Sequence, residues 1–328
     1  MVFKKLLGSL GVGGPTVDTV LHPGGGRPGG TLSGEVRLKG GTADVTIEHI
    51  TLELVARVEA EHGDGEAEGA VPFERFTVAG GFVLPEGEEQ AVPFGVTLPW
   101  ETPVTELHGQ DLGIVLGVRT ELSVAGARDK GDLDRLTVTP LPAQEAVLEA
   151  LGQLGFGFRS ADLELGHIRG SGQQLPFYQE IELSPAPRYA DRINEIEVTF
   201  LAGPGGLEVI LEADKRGGRF SGGDDALSRL SLGHHEAEAR DVTTELDSLI
   251  RSMADARAWH GTPEVHAHGG GQPEHHSAPG MGTVVAAGAA GVAVGVVGGM
   301  VAAEVVDEVG DFFEEDEGDE EEEGGDEG

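Results

Sequence analysis

The stretch Val92-Pro93-Phe94-Gly95-Val96-Thr97-Leu98-Pro99-Trp100-Glu101-Thr102-Pro103 decides how the chain is read. Val92, Phe94, Val96 and Leu98 alternate with other residue types, so one face of a short strand enters a core and the other meets water. Pro99 and Pro103 stop it. Pro93 has no N–H to give to a ladder, which predicts an edge strand or a strand start. About eighty residues later Gln90-Ala91-Val92-Pro93-Phe94 is echoed by Gln173-Gln174-Leu175-Pro176-Phe177. That copy continues through Tyr178-Gln179-Glu180-Ile181-Glu182-Leu183 to Pro185. Two strands with the same Pro-Phe entry point to two related β-domains in tandem.

Working outward, residues 16–140 read as the first β-sandwich. Strand candidates are Val17–Leu21, Leu32–Leu38, Val45–Ala60, Val71–Val78, Gly81–Leu84, Val92–Leu98, Leu112–Val124 and Asp134–Val138. Turns rich in Gly, Pro and acids separate them at sandwich spacing. The loop Glu61–Gly69 has too little apolar content for burial and is expected to be solvated. Ahead of this domain, residues 1–15 begin with a short helix whose apolar face is Phe3, Leu6, Leu7 and Leu10.

Between Pro140 and Phe156 the period changes from two to about 3.6. Val147, Leu148, Leu151 and Leu154 follow Pro142, predicting an inter-domain helix over 141–156. Residues 157–232 form the second sandwich, short enough to borrow edges from its neighbour. Val242, Leu246, Leu249, Ile250 and Met253 then mark an amphipathic helix over 236–259, set to lie on the second domain. His234-His235 reads as a capping or surface pair.

The 328 residues carry a formal charge of −36, with 58 acids against 22 Lys and Arg. That balance excludes nucleic acid and anionic lipid as partners of the bulk protein. Zero cysteines exclude disulfides, thiol nucleophiles and cysteine metal sites, so the cytoplasm is the default compartment. The N-terminus lacks the long apolar core of a signal peptide.

Beyond the last helix, 260–282 is a His/Gly/Pro-rich linker. His266, His268, His275 and His276 are its weak metal candidates, since nothing in such a linker holds ligands rigidly. Residues 283–310 form a Gly/Ala/Val segment, uncharged from 283 to 303 and just long enough to span a bilayer core. Ala287, Gly291, Gly295, Gly299 and Ala303 recur every fourth residue, a row that lets helix backbones meet. Against insertion stand the absence of Leu, Ile and Phe from 283–303 and the helix cost of its five glycines. Gly291, Gly295 and Gly299 are therefore candidate interaction residues, for a homo-oligomer or a membrane contact, beside the alternative of a tail without fixed structure. Phe312 and Phe313 are further interaction candidates, leading into the acidic disordered tail of 311–328.

No Walker sequence, GxGxxG in strand–helix context or GxSxG occurs, and Asp162 and Glu164 read as a solvated strand face. The residues call for no enzyme, no cofactor and no catalytic group.

Three stretches beside the Pro-Phe repeat carry a resemblance. They are Phe3-Lys4-Lys5-Leu6-Leu7 through Gly11-Val12-Gly13 to Val17-Asp18-Thr19-Val20-Leu21, then Glu145-Ala146-Val147-Leu148 to Gln153-Leu154-Gly155-Phe156, and Leu207-Glu208-Val209-Ile210-Leu211-Glu212-Ala213-Asp214. Over about residues 1–220 the chain resembles the SpoOM family of sporulation-control proteins. The resemblance implies an all-β, arrestin-like fold of two tandem β-sandwich domains with a linking helix. It further implies a non-enzymatic bacterial adaptor that works by protein–protein contact in control of sporulation or cell morphology. It brings no catalytic residues. A membrane-associated scaffold assembling through 283–303 is the alternative.

Overall fold

The computed structural model describes residues 13–62, 65–127, 129–215, 226–236 and 239–255. The helix expected at the N-terminus and everything from 256 onward, including the linker, the glycine row and the acidic tail, lie outside the described residues. Among the described residues, no helix is long and apolar enough to cross a membrane.

The first half is two facing sheets. Strands β1 (Thr16–Leu21), β2 (Thr31–Lys39) and β5 (Glu89–Thr97) form one, in the order β1-β2-β5. The decisive stretch supplies β5, and Pro93 sits mid-strand on an edge, where no ladder hydrogen bond is forfeited. The facing layer is built on β3 (Val45–His62), flanked by β4 (Gly65–Leu84) and by β8 (Leu116–Val124), with β9 (Lys130–Arg135) outside β8. Between them Leu32, Val36, Leu38 and Phe94 meet Ile50, Leu52, Leu54, Val118 and Leu122 in one core. Opposite Phe94 stands Gly34, where a Cβ would lie 2.7 Å from the Phe94 ring, so the aromatic needs the missing side chain.

Two expectations change here. Val71–Val78 and Gly81–Leu84 are one strand, β4, which runs to Gly65; the 61–69 loop is replaced by a β3–β4 hairpin pairing His62 with Gly65. Cross-strand pairing satisfies the backbone there without demanding apolar side chains. The predicted strand Leu112–Val124 starts only at Leu116, because the chain first makes a small hairpin of β6 (Glu106–Leu107) and β7 (Gln110–Asp111).

Helix α1 (Pro142–Leu154) follows. Pro142 opens it, Gln144 Oε1 accepts the N–H of Leu141, and Gly155 closes it at φ 96° while the N–H of Phe156 reaches Leu151 O. Strands β10 (Gly157–Leu165), β11 (Phe177–Ser184), β12 (Ile193–Gly203), β13 (Gly206–Lys215) and β14 (Ala226–Leu232) then add consecutively. Their apolar face, with Ile181, Val198, Val209, Leu211 and Leu230, packs on Val147 and Leu151 of α1 and on Leu246 and Ile250 of α2 (Val242–Asp255). Helix α2 starts later than residue 236. Asp241 caps it, accepting from the N–H and hydroxyl of Thr244, and those bonds hold the Asp241 carboxyl below its usual range.

The expected borrowing of edges is visible. Strand β3 is 18 residues long, and β8 covers one of its sides only as far as Ala56. Beyond that point β10 takes the same side, pairing Glu164 with Glu59 in parallel. One sheet therefore runs β14-β13-β12-β11-β10-β3-β8-β9 through both halves.

Candidate interaction surface

The seam between the halves is fastened by the ends of the two Pro-Phe segments. The Glu101 carboxylate accepts the N–H of Gln174 at 2.7 Å and that of Leu175 at 2.8 Å. The Gln179 amide answers by accepting from Val104 N–H and donating to Val104 O, each at 2.9 Å. Phe177 meets Phe73 of β4 edge to face, centroids 5.5 Å apart. Trp100 stacks on His234 at 4.8 Å, and a His234 ring nitrogen lies 2.8 Å from Gly203 O. At Gly29 (φ 69°) a Cβ would lie 2.5 Å from the indole, so only glycine leaves room for that ring. His234 is thus a seam residue, not a helix cap. The crevice beside Trp100, Gln179 and Phe200 holds about 10 Å³, no more than a single water needs. The seam is a joint.

The second feature is the face of β10–β13 turned away from the helices. Strand alternation places Asp162 and Glu164 of β10, Tyr178, Glu180 and Glu182 of β11, Glu195 and Glu197 of β12 and Glu208 and Glu212 of β13 on it. Register puts Asp162 opposite Glu180, Glu182 opposite Glu197, and Glu197 opposite Glu212. Like charges directly opposite repel, and half-burial strengthens the repulsion. Burial first, then Glu197, Asp162, Glu164 and Glu212, pushes the Glu180 carboxyl up to about 9. Burial, then Glu212, Glu195 and Glu182, takes Glu197 to about 8. Burial, then Glu180 and Glu164, raises Tyr178. Two basic residues work at the margins: Arg159 pairs with Glu195, and Arg229 with Glu208 at 3.0 Å. Asp162 and Glu164 are therefore half-buried members of a carboxylate ladder, in place of the solvated face expected.

A smaller acidic group lies in the first half. Asp132 Oδ2 accepts the Thr19 N–H at 2.6 Å, and Asp134, driven up to about 8 by burial and then by Asp132, lies two residues on along β9.

The residues singled out beforehand, Gly291, Gly295, Gly299, Phe312, Phe313 and the four linker histidines, lie outside the described residues. Sequence reasoning did not find Glu101, Gln179, Glu180, Glu197 or His234. For the ladder a signal existed: acids at alternate positions recur on β10, β11, β12 and β13. Only the pairing order shows that those acids face one another.

The family described as SpoOM protein matches residues 3–217. The chain belongs to the SpoOM family. The sporulation-control protein spo0M of Bacillus subtilis (strain 168) is 35% identical over 263 residues, 78% of this chain and 98% of that protein. The crystal structure of Spo0M, sporulation control protein, from Bacillus subtilis superposes with a TM-score of 0.63 at 32% identity. It covers 74% of this chain and 99% of the other. The fold is the arrestin-like one that the SpoOM resemblance implied.

Proposed function

We propose that this SpoOM-family chain is a non-enzymatic adaptor acting in control of sporulation or cell morphology, and that it binds a basic protein partner on the carboxylate face of β10–β13. The observation that supports it most is the extent of the relationship, 98% of a sporulation-control protein at 35% identity. The surface reading adds charge complementarity: a basic segment laid over the ladder would let Glu180 and Glu197 ionise beside Glu182 and Glu212 by offsetting the repulsion that now holds their protons on. Contact of this kind weakens with salt.

The test is genetic and biophysical together. Deleting the gene in its host should alter sporulation or cell shape, and the full-length wild-type chain should restore it. A chain carrying E182Q, E197Q and E212Q, with its melting profile intact, should restore it poorly. Full rescue by that variant would move docking to the sheet edges or the seam. A deletion with no effect on sporulation or shape would overturn the reading.

A further inference from the structure

One group of side chains is used by neither the seam nor the acidic face. His108 sits at the tip of the β6–β7 hairpin with φ 53°, the one non-glycine residue with positive φ among the described residues. An L-residue is held there at a cost that the surrounding structure must offset. The hairpin projects from the first half, and its imidazole meets α1. His108 Nδ1 lies 3.2 Å from Glu145 Oε1, and Nε2 lies 3.7 Å from Glu149 Oε1. Glu145 and Glu149 are one turn apart on α1, a like-charge pair that destabilises a helix unless a cation lies between them. Among the described residues neither has a Lys or Arg partner.

We propose that His108, Glu145 and Glu149 bind a divalent transition-metal ion of the zinc class, which ties the first-half hairpin to the linking helix. One nitrogen and two carboxylate oxygens, with water in the remaining positions, suit zinc and its neighbours better than calcium or magnesium. The three ligand atoms already lie within 4.8 Å of one another. Bonds of about 2.0–2.2 Å would bring them within about 4.2 Å, a modest side-chain rotation for half-exposed groups. The strongly negative chain favours cation capture from solution. The opposite face of α1, with Val147, Ala150 and Leu151, is sealed in the second core. An ion on the Glu145–Glu149 face therefore couples the two halves at a point the Glu101 joint does not reach.

The experiment uses the full chain with His260, His266, His268, His275 and His276 replaced by Ala, which removes every imidazole of the linker. Equilibrium dialysis with Zn²⁺ and titration with Co²⁺, read by its visible absorption, should show one equivalent bound. H108N keeps a residue tolerant of positive φ and removes the imidazole. It should weaken binding about 10-fold or more, and E145Q with E149Q should do the same, since even supporting groups at metal sites are worth about 10–100-fold. Zn²⁺ should also raise the melting temperature of the parent and not of H108N. No bound equivalent, or an equivalent indifferent to both variants, overturns the proposal. So does a parent chain whose melting temperature ignores metal yet falls on H108N substitution, which would make the group a plain ion pair.

Discussion

Two strands with the same Pro-Phe entry end in different places. Phe94 lies in an edge strand opposite Gly34, inside the core of one sandwich. Phe177 opens β11, a strand hydrogen-bonded on both sides, and it serves two cores. Phe177 and Leu175 join the first core, while Ile181 and Leu183, beginning two pleat repeats further on, belong to the second. The outer faces differ as well. On β5 the outward residues are Ala91, Pro93, Gly95 and Thr97, whereas on β11 they are Tyr178, Glu180 and Glu182. The local pattern sets which residues turn inward. What they meet is decided by the neighbour that the topology supplies.

Truncating each aromatic tests that difference most directly. F177A should cost about 4–5 kcal/mol, the upper part of the range for a buried Phe, because it empties a site packed by residues of both halves. F94A, on the edge and 9% exposed against 1% for Phe177, should cost about 3 kcal/mol. Urea unfolding of both variants measures the difference. Equal costs would mean that the two strands do equivalent work and that the joint at Phe177 adds nothing.

The seam allows a second test that leaves both cores whole. E101Q keeps the shape of the side chain and removes the charge that accepts from Gln174 and Leu175. Charge-assisted bonds are worth about 1.5–3 kcal/mol, and Gln retains one acceptor oxygen, so about 1–2 kcal/mol should be lost. Amide exchange at Gln174 and Leu175 should accelerate while exchange in β2 and β5 stays unchanged. Uniform acceleration would show that Glu101 supports the whole fold and not the joint.

How much of this was legible beforehand follows from range. Alternation and Pro placement exposed β2, β5 and β11, because those signals live within one strand. The helices were legible from spacing, although the start of α2 needed the side chain of Asp241 to show where the cap falls. The β3–β4 hairpin was missed because its tip is polar and the pairing that stabilises it is cross-strand. Glu101 and His108 carry no local mark, and the alternating acids around Glu180 mark a strand face without showing what it meets. Their partners lie 73 residues away for Glu101–Gln174, one hairpin and a helix away for His108, and on adjacent strands for Glu180. Registers decide such contacts, and register between distant strands is not written in any one of them.

The outer faces differ in a way that pH can test. With its carboxyl raised to about 9 from an ordinary 4.5, Glu180 keeps a proton in the folded chain that the unfolded chain releases. The folded state then binds more protons between those values, so this group's contribution is full below about pH 4.5 and is lost as pH rises through about 9. Gln mimics the protonated acid and does not titrate. E180Q should therefore match wild type near pH 4.5 and gain on it steadily as pH rises toward 9, at up to about 1.4 kcal/mol per pH unit of one-proton difference. Thermal melts across that interval give the curve. An advantage that does not grow with pH would mean Glu180 is ionised in the fold, leaving the ladder's repulsion to be carried by Glu197 and its neighbours.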